Sequence, residues 1–299
     1  MKKQISISAI EYDIMQKEGK CVEDFSKATI SNNFMFRLVM EKPELCRQLL
    51  ERVLEVEIKE ISYPEGEKSL EAQLTSKGIR LDIYVTLADG TVVDVEMQAS
   101  DAHKKAFGKR TRYYQSVLDN DALKKGELYS KLRRTYIIFI CTFDPFDDNF
   151  ARYTFSTLCH ENVELSLNEG VYKIFLNTQG DRHKISQALS NLMDYINNNE
   201  PNDDFTRSLQ NEVELQRDDD GKRALYMTYN QTLMEMEEQG KNAGRREGRK
   251  EGRIEGIRAG RLETVLSLFR KSKLTEEEAA EEAGISVEEF KNIIAESNK

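Results

Sequence analysis

Two neighbouring segments of strict period-2 alternation constrain this chain more than any other feature. They are Gly78-Ile79-Arg80-Leu81-Asp82-Ile83-Tyr84-Val85 and Val92-Val93-Asp94-Val95-Glu96-Met97-Gln98. Side chains of a strand point to opposite faces in turn, so each segment reads as a strand with one apolar and one polar face. Ile79, Leu81, Ile83, Val85, Val93, Val95 and Met97 share the apolar face. Arg80, Asp82, Tyr84, Asp94, Glu96 and Gln98 share the polar one. The connector Ala88-Asp89-Gly90-Thr91 carries turn chemistry, so the pair reads as a hairpin.

For the apolar sets to share a face, the numbers of paired residues must sum to an even value. A two-residue Asp89-Gly90 turn breaks that rule. A three-residue loop, Asp89-Gly90-Thr91, pairs Ala88 with Val92 and satisfies it. Asp82 then lies opposite Gln98, and Tyr84 opposite Glu96. Asp82 and Glu96 become diagonal neighbours, about 7–8 Å apart at the backbone. Carboxylates at that separation can converge on one ion, and hard oxygen ligands suit Mg²⁺ or Mn²⁺. The competing reading is a solvent-facing strand whose acids are simply hydrated. Asp94 lies one pair further from Asp82 and reads as hydrated or as a neighbour of the ligand set.

Helical spacing of Phe34, Met35, Leu38 and Val39, then of Leu45, Leu49, Leu50 and Val53, predicts two amphipathic helices before the hairpin. Ser31 is placed to cap the first, and Pro43 fits the first turn of the second. Residues 56–63 read as a first strand. After the hairpin, Phe107, Arg110, Tyr114 and Val117 fall at helical spacing. The run Thr135-Tyr136-Ile137-Ile138-Phe139-Ile140-Cys141-Thr142-Phe143 is short, β-branched and aromatic, which predicts a buried central strand. The coarse order is α-β-β-β-α-β.

With that order, several short stretches resemble the PD-(D/E)XK nuclease family of transposases, the recombination-promoting nuclease-like group. They are Asn32-Asn33-Phe34-Met35-Phe36, Arg80-Leu81-Asp82, Val95-Glu96-Met97-Gln98, Lys109-Arg110-Thr111-Arg112-Tyr113-Tyr114-Gln115 and Phe139-Ile140-Cys141-Thr142-Phe143-Asp144-Pro145-Phe146. Ile174-Phe175-Leu176-Asn177-Thr178 extends the likeness, which covers about the first 215 residues.

The resemblance implies an α/β restriction-endonuclease-like core, an αβββαβ mixed sheet flanked by helices, with a helical C-terminal extension. It implies a metal-dependent endonuclease that hydrolyses phosphodiester bonds in DNA, linked to recombination or mobile elements. Asp82 and Glu96, with the backbone carbonyl of Met97, are implied as ligands of Mg²⁺ or Mn²⁺. Gln98 stands where most relatives of the superfamily have a catalytic Lys. Gln can orient a water but adds no charge, so more of the activation falls to the metal. Asn33 stands where many relatives have an acidic residue. That leaves Glu44 and Glu51 as substitutes, against the plainer reading of both as hydrated helix residues.

Arg110 and Tyr114 are one helical turn apart, so both can face the hairpin. Arg110 can fork onto a phosphate, and Tyr114 can bond the nucleic-acid backbone or orient Gln98. A core Tyr beside a surface Arg is the equal alternative. Lys109 and Arg112 extend the nucleic-acid-binding set. From His103 to Arg134 there are ten Lys or Arg against three acids, a candidate phosphate-contacting patch in a chain of net charge −9.

The 299 residues suffice for one large core and an appendage. No apolar stretch is long enough to span a membrane, and there is no secretory signal. Cys21, Cys46, Cys141 and Cys159 show no CxxC spacing, and there are three histidines. Zinc and a disulfide framework are not expected, and a reduced, cytoplasmic protein is. A homodimer is compatible with the sequence.

In the second half, residues 158–178 read as one or two edge strands. Ile185, Leu189, Leu192, Tyr195 and Ile196 read as an amphipathic helix, with helices following over 205–215 and 223–238. From Gly240 to Gly260 a glycine recurs every fourth residue among Arg, Lys and Glu. A four-residue period drifts about 40° per repeat on a helix. The stretch reads as a charged, partly helical linker. The segment from Leu274 to Phe290 has helix-turn-helix punctuation at Thr275, Gly284 and Ser286, but acids crowd it, so it reads as a packing or partner module. The expected divisions are residues 1–215, 216–272 and 273–299. The alternative to an endonuclease is a catalytically weak or inactive nucleic-acid-binding or protein-interaction module that keeps the fold.

Overall fold

The computed structural model describes residues 24–63, 69–70, 79–102, 104–123 and 126–297. Cys21, Gly78, His103, Lys124 and Lys125 lie outside them, as do the side chains of Ile79 and Arg80. In chain order come helices α1 (Asn33–Met40) and α2 (Pro43–Leu54), then short strands β1 (Ile61–Ser62), β2 (Ser69–Leu70) and β3 (Ile79–Arg80). The hairpin supplies β4 (Ile83–Leu87) and β5 (Val92–Gln98), followed by helix α3 (Phe107–Ala122). Strands β6 (Thr135–Cys141), β7 (Arg152–Phe155) and β8 (Val171–Asn177) complete the sheet. Helices α4 (Gln187–Asn198), α5 (Asp204–Arg217), α6 (Asp220–Arg270), α7 (Glu276–Ala283) and α8 (Val287–Ser297) end the chain.

Six strands form one mixed sheet in the order β1-β4-β5-β6-β8-β7. β1, β4 and β5 are antiparallel, β5, β6 and β8 parallel, and β7 returns antiparallel to β8. Parallel neighbours need a crossover, and α3 is the crossover from β5 to β6. The apolar run of β6 is central, with Ile137, Ile138, Phe139, Ile140 and Cys141 fully buried. α1 packs against β5 and α3 against β6. The expected α/β sheet flanked by helices, with a helical C-terminal region, is therefore present.

Four local expectations are corrected. The first strand shrinks from residues 56–63 to β1, because the amide of Ile58 donates to the Glu51 carboxylate and not to a strand. Asn32, not Ser31, caps α1, accepting from the amides of Phe34 and Met35. Residues 158–178 do supply a strand, β8, but it lies inside the sheet, and the edge is β7, which precedes that segment. The stretch of glycines is an unbroken part of α6, although each mid-helix glycine costs about 1 kcal/mol against Ala. Arg, Lys and Glu are good helix formers and can pair one turn apart, which offsets part of that cost.

The hairpin register is also shifted. Ile83 pairs with Val95, Tyr84 with Asp94, Val85 with Val93 and Thr86 with Val92. The parity is as expected, but the loop is Ala88-Asp89-Gly90. The Leu87 amide donates to the Thr91 carbonyl, and the Gly90 amide to the Leu87 carbonyl. Gly90 has φ +86°, the left-handed position that ends such a loop. The loop expected from the sequence would have put β-branched Thr91 there, which the left-handed region disfavours.

The chain divides into two compact units between Met227 and Thr228. In the first, the start of α6 is tied down by Tyr226, whose ring packs on Phe25 and Phe34 and whose hydroxyl accepts from Asn32. In the second, Val265 of α6 joins Ala279, Ala280 and Phe290 in a small core. Thr275 and Glu278 form a capping box, and Gly284 ends α7 in the left-handed conformation. Among the described residues no helix is long and apolar enough to cross a membrane.

A chain ending at Gln239 keeps Tyr226 and should unfold cooperatively, with a thermal midpoint within a few degrees of the full chain by circular dichroism. Loss of the folded core on that truncation would show that the rest is needed to hold it.

Candidate active site

Asp82 precedes β4, and one more step along the hairpin register places it directly opposite Glu96. The diagonal relation expected from the sequence is replaced by a face-to-face one. The two residues hold each other through the backbone. The Asp82 amide donates to Glu96 Oε1 at 3.1 Å, and the Met97 amide donates to Asp82 Oδ2 at 3.2 Å.

The polar face of this hairpin is not in water. β5 is paired on both edges, and α3 belongs to the layer over its polar face. Tyr114 of α3 is buried in one cluster with Leu81, Ile137 and Phe139. Leu81 thus packs on the α3 side, not with Ile83 and Val85 as its place in the alternation implied, because the chain leaves strand geometry between β3 and β4. Glu96 is 3% exposed and Asp94 0%. Of the two readings of Asp94, hydrated or a neighbour of the ligand set, the first is therefore excluded. Neither of its carboxylate oxygens has a hydrogen-bond partner among the described residues.

One cation answers these acids. Arg110 donates through Nη2 to Glu96 Oε2 at 2.6 Å, through Nη1 to Gln98 Oε1 at 2.8 Å and through Nε to Tyr114 Oη at 3.0 Å. Its guanidinium also lies 4.9 Å from the centre of the Phe139 ring, within cation–π range. Gln98 is used at both ends, since its Nε2 donates to the Ser100 carbonyl at 3.1 Å. The core and surface readings of Tyr114 and Arg110 thus merge: Tyr114 is buried, and Arg110 turns inward, keeping its side chain 30% exposed at the rim. Lys109 and Arg112, on the same helix, are exposed on its outer side and do not join the cluster.

The electrostatics follow from burial. Glu96 is pushed up to about 8 by burial, then by Asp82, with Arg110 pulling the other way. Asp94 is raised well above the usual carboxylate range by burial, then by Glu96 and Asp82. Burial likewise raises the Tyr114 hydroxyl. Asp82, Asp94 and Glu96 gather around the ion pair of Arg110 with Glu96, a set of acids that suits a divalent cation. Hard oxygen donors and an orphaned Asp94 fit such an ion in kind. Among the described residues, no group of three or more acids, histidines or cysteines stands in ready coordination geometry. Asp82 and Glu96 are held by backbone amides and Arg110.

Glu44 and Glu51, the substitutes considered for an acid near Asn33, are both paired with Arg47 instead. Sequence reasoning missed the burial of Asp94 and the ring of Phe139 beneath Arg110. The signal for both was the β6 run: a strand apolar on both faces requires helices on both sides of the sheet.

A family model described as PD-(D/E)XK nuclease family transposase matches residues 31–243. No curated protein and no solved structure matches the chain.

Because burial raises Asp94 and Glu96 above their unfolded values, their contribution to stability without metal should be full below about pH 4. It should fall as pH rises toward about 8. Urea unfolding in a chelator across that range measures it. Asp94→Asn should flatten the fall and raise the thermal midpoint at pH 8 by about 2–5 °C. An unchanged pH profile in this variant would mean Asp94 is already matched by a partner.

Proposed function

The chain belongs to the PD-(D/E)XK nuclease family transposases, and from that premise we propose that it is a divalent-metal-dependent endonuclease that cuts DNA in the course of recombination or mobile-element transfer. The observation that carries this reading is the buried acidic cluster. Asp82, just before β4, and Glu96 on β5 hold each other through backbone amides, Asp94 is orphaned behind them, and Arg110 pairs with Glu96. A stable fold would fill such central-strand positions with apolar side chains.

In this reading Asp82, Glu96 and the Met97 carbonyl would hold Mg²⁺ or Mn²⁺. The ion supplies the charge that polarises a phosphoryl oxygen and acidifies water. Gln98 orients the attacking water by hydrogen bonding. Arg110 stands at the rim with its fork toward Glu96 and Gln98. It provides the positive charge that most relatives of the superfamily carry as Lys at the position of Gln98, and it grips a phosphate oxygen as substrate arrives. Tyr114 fixes the guanidinium through Nε. Lys109 and Arg112, exposed on the outer side of α3, contact flanking phosphates. A cytoplasmic location and function as a homodimer accord with this role.

A second reading has its own support. Gln98 is hydrogen-bonded at both ends of its amide. A site locked by its own side chains suits a catalytically weak module that keeps the fold and binds nucleic acid or protein.

Plasmid and linear DNA cleavage, with and without metal, separates the two. Asp82→Ala and Glu96→Ala should each lower metal-dependent cleavage at least about a hundredfold while circular dichroism stays native. Full cleavage by Asp82→Ala would remove the site from consideration. Gln98→Lys should preserve or raise cleavage if position 98 faces the reacting phosphate, and should lower the thermal midpoint if Gln98 serves only the Arg110–Ser100 network. Arg110→Ala should weaken DNA binding and reduce its logarithmic salt slope by about one. An unchanged slope with lowered stability would assign Arg110 to structure alone.

A further inference from the structure

The stretch of α6 over residues 240–261 is a basic surface on an acidic chain. It holds eight Lys or Arg and three Glu, net +5, whereas the whole chain is −9. All of its residues are exposed. A Cβ built on any of its six glycines would meet nothing within 4 Å, so no packing among the described residues explains them. Six unpacked glycines weaken a helix, and their regular spacing makes them a pattern.

Helix geometry converts the period into a surface. Four residues rise about 6 Å and overshoot a full turn by about 40°. Arg245, Arg249 and Arg253 therefore lie on one winding track, and Arg246 and Lys250 on the track beside it. Glu247, Glu251 and Glu255 wind along the opposite side, next to the glycines. The helix thus presents a double row of positive charge at about 6 Å intervals. The glycine track beside the acids leaves the backbone bare.

We propose that residues 240–261 form an arm that binds the phosphate backbone of duplex DNA without regard to sequence. The proposal rests on the endonuclease reading, which makes the substrate a polyanion. Charge decides among the occupants. A second copy of the same helix would bring +5 against +5. An anionic membrane surface would need an apolar face, and Ile254 and Ile257 are the large apolar residues exposed within the stretch. A phosphate backbone matches both the sign and the repeat, and charge contacts to phosphate position a protein without reading bases.

The test uses the full chain in a chelator, so that nothing is cut, with a fluorescent 30-base-pair duplex titrated between 50 and 200 mM salt. Arg and Gln have similar helix propensities, so R245Q/R246Q/R249Q/R253Q should keep the helix. It should bind about tenfold or more weakly and lower the logarithmic salt slope by about three. E247Q/E251Q/E255Q should bind more tightly. Unchanged affinity and slope in the Arg variant would overturn the arm. So would a loss of dimer mass by light scattering with DNA binding intact, or binding to phosphatidylserine vesicles in place of duplex. Asp82→Ala is read by metal-dependent cleavage alone and has no part in this binding assay. Its cleavage result therefore judges the active-site reading separately from the arm.

Discussion

The ion pair between Arg110 and Glu96 sits where the fold is least able to tolerate charge. Glu96 lies on β5, a strand with neighbours on both edges and helices on both faces. A carboxylate taken from water into such a place loses several kcal/mol of hydration, which an ion pair recovers only with good geometry and further hydrogen bonds. The surroundings meet that condition. Arg110 reaches Glu96 at 2.6 Å through Nη2, and Nη1 and Nε donate to Gln98 and Tyr114. The rings of Phe139 and Tyr114 shield the guanidinium. The placing of α3 over the sheet is therefore both a packing and an electrostatic matter.

Asp94 shows that the balance is incomplete. It is the most enclosed of the acids and has no hydrogen-bonding partner among the described residues. A chain selected for stability alone would replace it by Val or Ile, which the neighbouring positions already carry. Conflicts between local stability rules and the residues present concentrate at functional sites. Here the conflict falls on the face shared by Asp82, Glu96 and Gln98.

The two ends of the chain solve different problems. The first unit buries its charge and must match it inside. The exposed part of α6 carries its charge outward, on a helix weakened by glycines that nothing among the described residues packs against. Tyr226 ties the start of α6 to the first unit before the glycines begin.

Much of the fold was legible in the residues. Alternation in the hairpin, the apolar run of β6 and the helical spacing around Phe107 and Tyr114 specify strand, strand and helix, because periods of 2 and 3.6 follow from backbone geometry alone. The even-sum rule correctly put Asp82 and Glu96 on one face. The sequence also contained the reason its register was off by two, since only Gly90 suits the left-handed end of the loop. Alternation cannot say what covers a face. Water and a helix leave the same pattern of polar residues, so the pattern leaves Asp94 either hydrated or beside the ligand set, and only α3 lying over it excludes the first. The convergence of Arg110, Glu96 and Gln98 was likewise decided only by tertiary structure: it depends on how a crossover helix lies across a sheet, a distance and an angle that no local pattern encodes.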